Sequence, residues 1–412
     1  MTFDFILLDA TALSTIALRF IDDKDKEYLL KTPLRIASSK WDADKQRPYN
    51  IYLKKYKKLH TRLNKIRIGI ASYLRDIKTK QRTLSINTLG RIIKKHATLI
   101  DHDSPEGSLL KHMETYINNR LHIISDSTYK RYMVFFRLLE RFEGHRMQNL
   151  HLNDLNGTFV KDFLTFGELE EYSKSTIYRT IHFVRTILNF LEKRGIRTLI
   201  YELELPKEKK FHQIVTLTED ELKTIKKTDV PIHLKAAKDW LVISCYTGQR
   251  ISDFMNFNIE MMEVLDGRPC MSFVQKKTQK EILLALHPAA LVVMSKNNNS
   301  FPSKLSTQRY NDQIKEVVHL AGIKSLVKVR KRQGFRAYEM MVQKWEAITS
   351  HIGRRSFASN FYGKIPTPLL MEATGHSTEQ MFQRYINSVD TERTRNLGIY
   401  FEETYKETLM VT

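Results

Sequence analysis

The chain is short of cysteine, and acid is scarce beside its base. Its two cysteines, Cys245 and Cys270, both lie in apolar surroundings. They build neither a disulfide framework nor a cysteine-ligated metal cluster, and such usage fits a reducing compartment. No apolar run approaches the about 20 residues that a helix needs to span a bilayer. The opening "FDFILLDATALSTIAL" is interrupted by Asp4 and Asp9 and has no basic residue before Arg19, so it does not read as a signal peptide. Low-complexity tracts and repeats of fixed period are missing as well. The echo between Thr128-Tyr129-Lys130-Arg131 and Thr176-Ile177-Tyr178-Arg179 reads as two similar helix starts. Together these absences predict a soluble, cytoplasmic protein with no membrane partner.

What is present is positive charge. The 412 residues carry 67 Lys plus Arg against 46 Asp plus Glu, a net charge of +21, and the pI is near 9.7. Such a surplus points to a polyanionic partner, although placement matters more than the total. With 42% hydrophobic residues the chain can build real cores, and its length allows two or three domains.

Two stretches read as linkers, "DHDSPEG" at 101–107 and "PKEKKFHQ" at 206–213. They divide the chain into segments of about 1–100, 104–205 and 213–412. The first opens with strand-like text as far as "LLKTPLRIASSKWD". A helix follows in which Leu53, Tyr56, Leu59, Leu63, Ile66 and Ile70 recur at steps of three and four. Its opposite face holds Lys54, Lys55, Lys57, Lys58, Arg62, Lys65 and Arg67 without one acid, which suits either phosphate contact or an ordinary solvated face. The middle segment is helical throughout. "TYKRYMVFFRLLERFEG" and "STIYRTIHFVRTILNFLEKRG" run apolar stripes beside Arg and Lys and stop at Gly.

The third segment begins with a capping box at Thr218-Glu219-Asp220-Glu221 and a helix ending in "WLVISCYTG". Asp266-Gly267 and a second reversal at Lys276 to Lys280 predict three short antiparallel strands; the rest reads as helical. Near the end, Gly375 stops an apolar helix, and Ser377 with Gln380 predicts a capping box for the next one, on which Tyr385 would lie.

Arg250 follows a helix break with Asp253 three residues on, Lys276 and Lys277 sit at a hairpin tip, and His351 and Arg354 share a helix face. With His376 and Tyr385 these residues suit metal-free phosphodiester transfer. A phosphodiester under attack gains charge on its non-bridging oxygens, which two guanidiniums can clamp bidentately. A tyrosine hydroxyl can attack, but a free pKa near 10 leaves a deficit of roughly 4 kcal/mol at pH 7, which neighbouring Arg and His groups must offset. The leaving 5′ oxygen needs a proton, which a hairpin lysine can deliver.

The order Arg in "TGQRISD", Lys in "KKTQK", His-x-x-Arg in "HIGRR", Gly-His in "TGHST" and Tyr in "QRYIN" resembles the tyrosine recombinases, the phage integrase family. The resemblance covers about 213–412 well. It implies a mainly α, multidomain chain: an arm-DNA-binding α+β domain at 1–100, a SAM-like helical core-DNA-binding domain at 104–205, and an α-helical catalytic domain with a three-stranded antiparallel sheet at 213–412. The first of these is similar to the arm-binding domain of integrases from bacteroidete-type conjugative or mobilizable elements and phages. Carried over, Tyr385 is the nucleophile that forms a 3′-phosphotyrosyl bond, Arg250 and Arg354 hold the phosphate, and His376 donates to it. His351 accepts a proton or binds the phosphate, Asp253 braces Arg250, and Lys277 is the general acid with Lys276 its competitor. No cofactor, ATP or metal is implied. The expected partners are double-stranded DNA at core and arm sites, a homotetramer on synapsed DNA, and DNA-bending accessory or excision factors, in a nucleoid-associated setting.

Three other readings compete. A type IB topoisomerase, like a DNA invertase or resolvase, would use the same chemistry. A metal-dependent transposase would need a carboxylate triad. A non-catalytic DNA-binding protein would need neither Tyr385 nor the paired arginines. The basic text at 328–350 reads as a DNA-contacting insertion or as a loop.

Overall fold

The structure, a computed structural model, describes residues 1–9, 12–98, 104–206, 214–333, 336–386, 394–395 and 397–403. It consists of two compact units, Met1–Lys209 and Lys210–Thr412. The linker expectations at 101–103 and 207–213 fall outside the described residues.

The first unit opens with an antiparallel sheet of β1 (Thr2–Leu7), β2 (Ser14–Ile21) and β3 (Glu27–Ile36), in that order. A short pair, β4 (Trp41–Asp42) and β5 (Arg47–Pro48), leads to the long helix α1 (Lys54–Lys80) and then α2 (Ile86–Thr98). Alternation in β2 turns Ile16, Leu18 and Phe20 onto one face. There they meet Leu63, Ile66 and Ile70 of α1 and Leu89 and Ile93 of α2. Four helices follow: α3 (Leu109–Asn118), α4 (Asp126–Arg146), α5 (Gly157–Leu169) and α6 (Lys174–Glu192). Ser108, Ser125, Asn156 and Ser173 cap them by accepting first-turn amide hydrogens. Their core is rich in phenylalanine, with Phe142 edge-on to Phe159 and Phe163. Helix α4 does not stop at Gly144 as its text predicts. It runs to Arg146 and ends on Met147 in the left-handed conformation, because Gly144 serves packing: a Cβ there would fall 2.2 Å from Asn64 of α1.

The second unit is built around α8 (Ile232–Thr247), which is buried from Trp240 to Thr247 and follows α7 (Glu219–Lys227). Gly248, at φ +67°, ends α8, and α9 (Ile251–Phe254) restarts with Arg250 at its N-cap. The predicted meander is present as β6 (Met262–Leu265), β7 (Arg268–Val274) and β8 (Glu281–Ala285), with Met271 opposite Leu284 and Phe273 opposite Ile282. Helices α10 (Pro288–Lys296) and α11 (Thr307–Leu320) come next.

The expectation of a helical remainder fails at the next stretch, where a hairpin of β9 (Leu326–Gln333) and β10 (Arg336–Gln343) stands. Val327 and Val329 alternate with Lys328 and Arg330, a period-two pattern masked in the sequence by its charge. Up to Gln343 the basic stretch thus supplies the strands of a hairpin rather than a loop. Helices α12 (Lys344–Ala347), α13 (Ile352–Phe361), α14 (Thr367–Thr374) and α15 (Glu379–Gln383) complete the described elements.

Candidate active site

Helix α13 lies against α8 at very short range. A Cβ on Gly353 would stand 2.2 Å from Ser244 Oγ and 2.7 Å from the Ser244 carbonyl carbon, so only glycine permits this approach. The next residue, Arg354, is thereby driven into the interior and is fully buried. Its guanidinium donates to the carbonyls of Gly248 (3.0 Å) and Thr374 (2.6 Å) and to Nε2 of His376 (3.0 Å). Burial and the nearby Arg250 lower its pKa to about 10.

His376 follows the left-handed Gly375 (φ +70°) that caps α14, as the sequence predicts. Arginine can only donate, so Nε2 of His376 must be the acceptor and Nδ1 carries the proton. Nδ1 lies 2.8 Å from Thr374 Oγ1, and that hydroxyl sends its own hydrogen to the Leu370 carbonyl at 2.6 Å. Burial, with Arg354, Arg250 and Lys280 behind it, pushes the imidazole pKa down to about 3. In this arrangement His376 does not donate from Nε2; it reaches a phosphate as a donor only if it exchanges its bond to Arg354.

Tyr385 lies beyond the end of α15, in a turn closed by its amide donating to Phe382 O (2.9 Å). It is therefore not carried on a helix. The capping residue is Thr378, which accepts from Met381 N, rather than Ser377. The Tyr385 ring centroid is 5.4 Å from the Arg354 guanidinium carbon and 4.9 Å from the His376 ring. The Tyr385 carbonyl accepts from Ser359 Oγ at 3.2 Å.

Arg250 donates to Gln275 Oε1 at 3.0 Å. The expected brace from Asp253 is absent: among the described residues no ion pair joins the two. Asp253 Oδ1 instead accepts from the Lys276 amide (3.0 Å) and from Ser252 Oγ (3.2 Å). Its carboxylate faces the mouth of the β7–β8 hairpin because the tight turn there leaves an amide to satisfy. Asp253 Oδ2 and Arg354 Nε are buried with no protein partner among the described residues.

His351 is exposed at the start of α13. Partial desolvation of its ring lowers its pKa, and Arg355, Arg354, Arg250 and Lys277 add to the effect. The charge of Lys277 is thus near enough to act on His351. The second unit thus brings Arg250, Arg354, His376, Tyr385, His351 and Lys277 into one electropositive neighbourhood.

The basic face of α1 is less uniform than its spacing predicts. Lys54, Lys55 and Lys58 are exposed, while Lys57, Arg62, Lys65 and Arg67 are half-buried. Arg67 does not face outward for phosphate: it donates to the Gln46 carbonyl at 2.9 Å and lies over the Phe5 ring. Desolvation lowers its pKa to about 10. Lys57 sits beside Arg137 and Arg141 of α4. Sequence reasoning passed over Gln275, Gln249, Arg355 and Lys280; the glutamines carry no charge or periodicity to single them out. Among the described residues, no group of three or more His, Cys, Asp or Glu side chains could hold a metal ion.

Residues 215–392 match the phage integrase family, and residues 108–198 match the phage integrase SAM-like domain. No curated protein matches the chain. Among solved structures, it is similar to the Tn1549 transposon integrase in complex with circular intermediate DNA: TM-score 0.52 and 13% identity, covering 70% of this chain and 98% of that one. It is also similar to the XerH site-specific recombinase bound to palindromic difH substrate in a post-cleavage complex, with TM-score 0.50, 14% identity and coverage of 82% and 96%. At such identities these likenesses speak to the fold. From the helical middle segment to the site around Arg354, the chain belongs to the phage integrase family, the tyrosine recombinases.

Proposed function

We propose that this protein is a site-specific DNA recombinase that cuts and rejoins strands through a 3′-phosphotyrosyl intermediate, integrating or excising a mobile element. The observation that carries the reading is the position of Tyr385 against both Arg354 and His376. A phosphate within reach of Tyr385 is then also beside a guanidinium.

In the reaction, Tyr385 Oη attacks the scissile phosphorus and its proton passes to His351, whose lowered pKa keeps it unprotonated and ready to accept. Arg250 and Arg354 take up the charge that develops on the non-bridging oxygens. The P–O5′ bond breaks, and the departing 5′ oxygen takes a proton from Lys277. Lys277 is preferred over Lys276 because its charge acts on His351, whereas the backbone amide of Lys276 is tied to Asp253. Attack of another strand's 5′ hydroxyl on the phosphotyrosine reverses these steps and frees Tyr385. The phosphodiester energy is conserved throughout, so neither ATP nor a metal is called for.

A groove between α4 and α6, lined by Arg131, Arg179 and His182 beside the stacked Tyr132 and Phe183, supports contact of the middle segment with core-site DNA. The exposed Lys54, Lys55 and Lys58 support arm-site contact by the first segment. Strand exchange between two duplexes calls for a homotetramer on synapsed DNA, with accessory bending or excision factors as further partners. The test is a nicked suicide substrate run on a denaturing gel: wild type accumulates a covalent adduct and Tyr385→Phe binds DNA without forming one. An adduct persisting in the variant would refute the assignment.

A further inference from the structure

Gln275 is fully buried at the mouth of the β7–β8 hairpin. Its Oε1 accepts from Arg250 (3.0 Å) and from Thr278 Oγ1 (2.7 Å), and its Nε2 donates to Gln249 Oε1 (3.0 Å) and to the Thr374 carbonyl (3.1 Å). The amide orientation is unambiguous, since a guanidinium can only donate and a carbonyl can only accept. Both faces of the side chain are thus fully used. Gln249 continues the chain: its Nε2 donates to the carbonyls of Thr247 (2.9 Å) and Ala373 (2.6 Å). A Cβ on Gly375 would stand 2.5 Å from Gln275 Oε1, so the turn bearing His376 is moulded onto this amide.

The consequence concerns Lys277, which stands between tied neighbours. Gln275 holds Thr278 on one side, and Asp253 holds the Lys276 amide on the other. The same Gln275 oxygen holds Arg250. We propose that Gln275 is a positioning residue that fixes the lysine-bearing loop relative to Arg250 and the Gly375-His376 turn, so that proton donor and phosphate clamp keep one geometry. The proposal rests on the recombinase reading above. A general acid contributes about 10²–10⁴-fold only when it is held within hydrogen-bond reach of the leaving atom, so loosening the loop should cost most of that factor.

The experiment compares strand cleavage by full-length wild type, Gln275→Ala and Thr278→Val on two nicked duplexes. One has the ordinary 5′ bridging oxygen at the scissile phosphate; the other has sulfur there, whose thiolate leaves without needing a proton. Thermal unfolding and DNA binding are recorded alongside. Gln275→Ala should lose about 100-fold or more on the oxygen substrate and recover at least about 10-fold on sulfur. It should bind DNA within about threefold of wild type. Thr278→Val removes a single hydroxyl from an exposed residue and guards against a folding defect in the first variant. It should lose about 10-fold on oxygen and nearly nothing on sulfur. Equal losses on both substrates, or no loss in Thr278→Val, would overturn the proposal. Failure of wild type to form an adduct on either duplex would overturn the recombinase reading itself and the proposal with it.

Discussion

Arg354 and His376 are joined by a hydrogen bond of 3.0 Å that requires the imidazole to be neutral, because the guanidinium has no lone pair to offer a protonated ring. Thr374, accepting from Nδ1, fixes the other end of that ring. The interior of the site therefore holds one buried cation and one histidine barred from becoming a second.

Acid should weaken the fold through His376. Its pKa is about 3 in the folded chain against 6.5 for the ordinary group. Between those values the unfolded chain binds a proton that the folded chain does not, so this contribution is complete above pH 6.5 and is lost as pH falls toward 3. At pH 5 the loss amounts to about 2 kcal/mol. Denaturant unfolding at pH 7 and pH 5 should show wild type losing about that much more than His376→Gln. Parallel losses in the two proteins would show that His376 is not the sensor.

Gly353→Ala should destabilise the second unit by about 1–3 kcal/mol, since the added methyl meets both the side chain and the backbone of Ser244. It should also reduce adduct formation, because Arg354 is the next residue. The check is a denaturation midpoint measured beside suicide-substrate cleavage. A variant as stable and as active as wild type would mean that α13 and α8 part freely.

Replacing Lys54, Lys55 and Lys58 by alanine should make the slope of log affinity against log salt shallower by about 2.7 on arm-containing DNA, at about 0.9 per phosphate contact. Core-only DNA should show little change. Deleting the first segment is a poorer test than its linker text implies. Arg47 pairs with Glu170 at 2.6 Å, Thr61 donates to Glu140 and Arg75 to the Met147 carbonyl, so removing residues 1–90 would strip supports from α4 and α5. An unchanged slope in the triple variant would deny these lysines an arm-site role.

Strand cleavage should persist in EDTA, since Arg250, Arg354 and Lys277 supply the positive charge that a metal would otherwise bring. Loss on chelation and recovery with Mg²⁺ would contradict the mechanism.

Much of the site was legible because its chemistry is carried by residue types that announce themselves. Gly375 as a left-handed stop, Asp266-Gly267 as a hairpin turn and the helix break before Arg250 all act locally, within a few residues, and the structure shows each of them. What the sequence hid is non-local. Asp253 is three residues from Arg250, a spacing that invites an ion pair, yet it serves an amide 23 positions away. Gln275 reaches 99 positions to Thr374. Arg67 looks like its neighbours on a helical wheel, but the strand pair at Trp41–Pro48 folds over it. The hairpin at Leu326–Gln343 shows that a run of basic residues can conceal a strand's alternation.

The contact between Gly353 and Ser244 also bears on how the site can breathe. With only the small Ser244 side chain at the contact, α13 has little cushion to deform, and Arg354 cannot withdraw by a rotamer change while three acceptors hold its guanidinium. Amides along α13 should therefore exchange with solvent only through cooperative opening of the α8–α13 core, as late as any in the protein, while those of the turn at Arg384 and Tyr385 exchange early. Protection would then fall within a single site along a line between the clamp and the nucleophile, leaving the phosphate's seat rigid and the turn that bears the tyrosine quick.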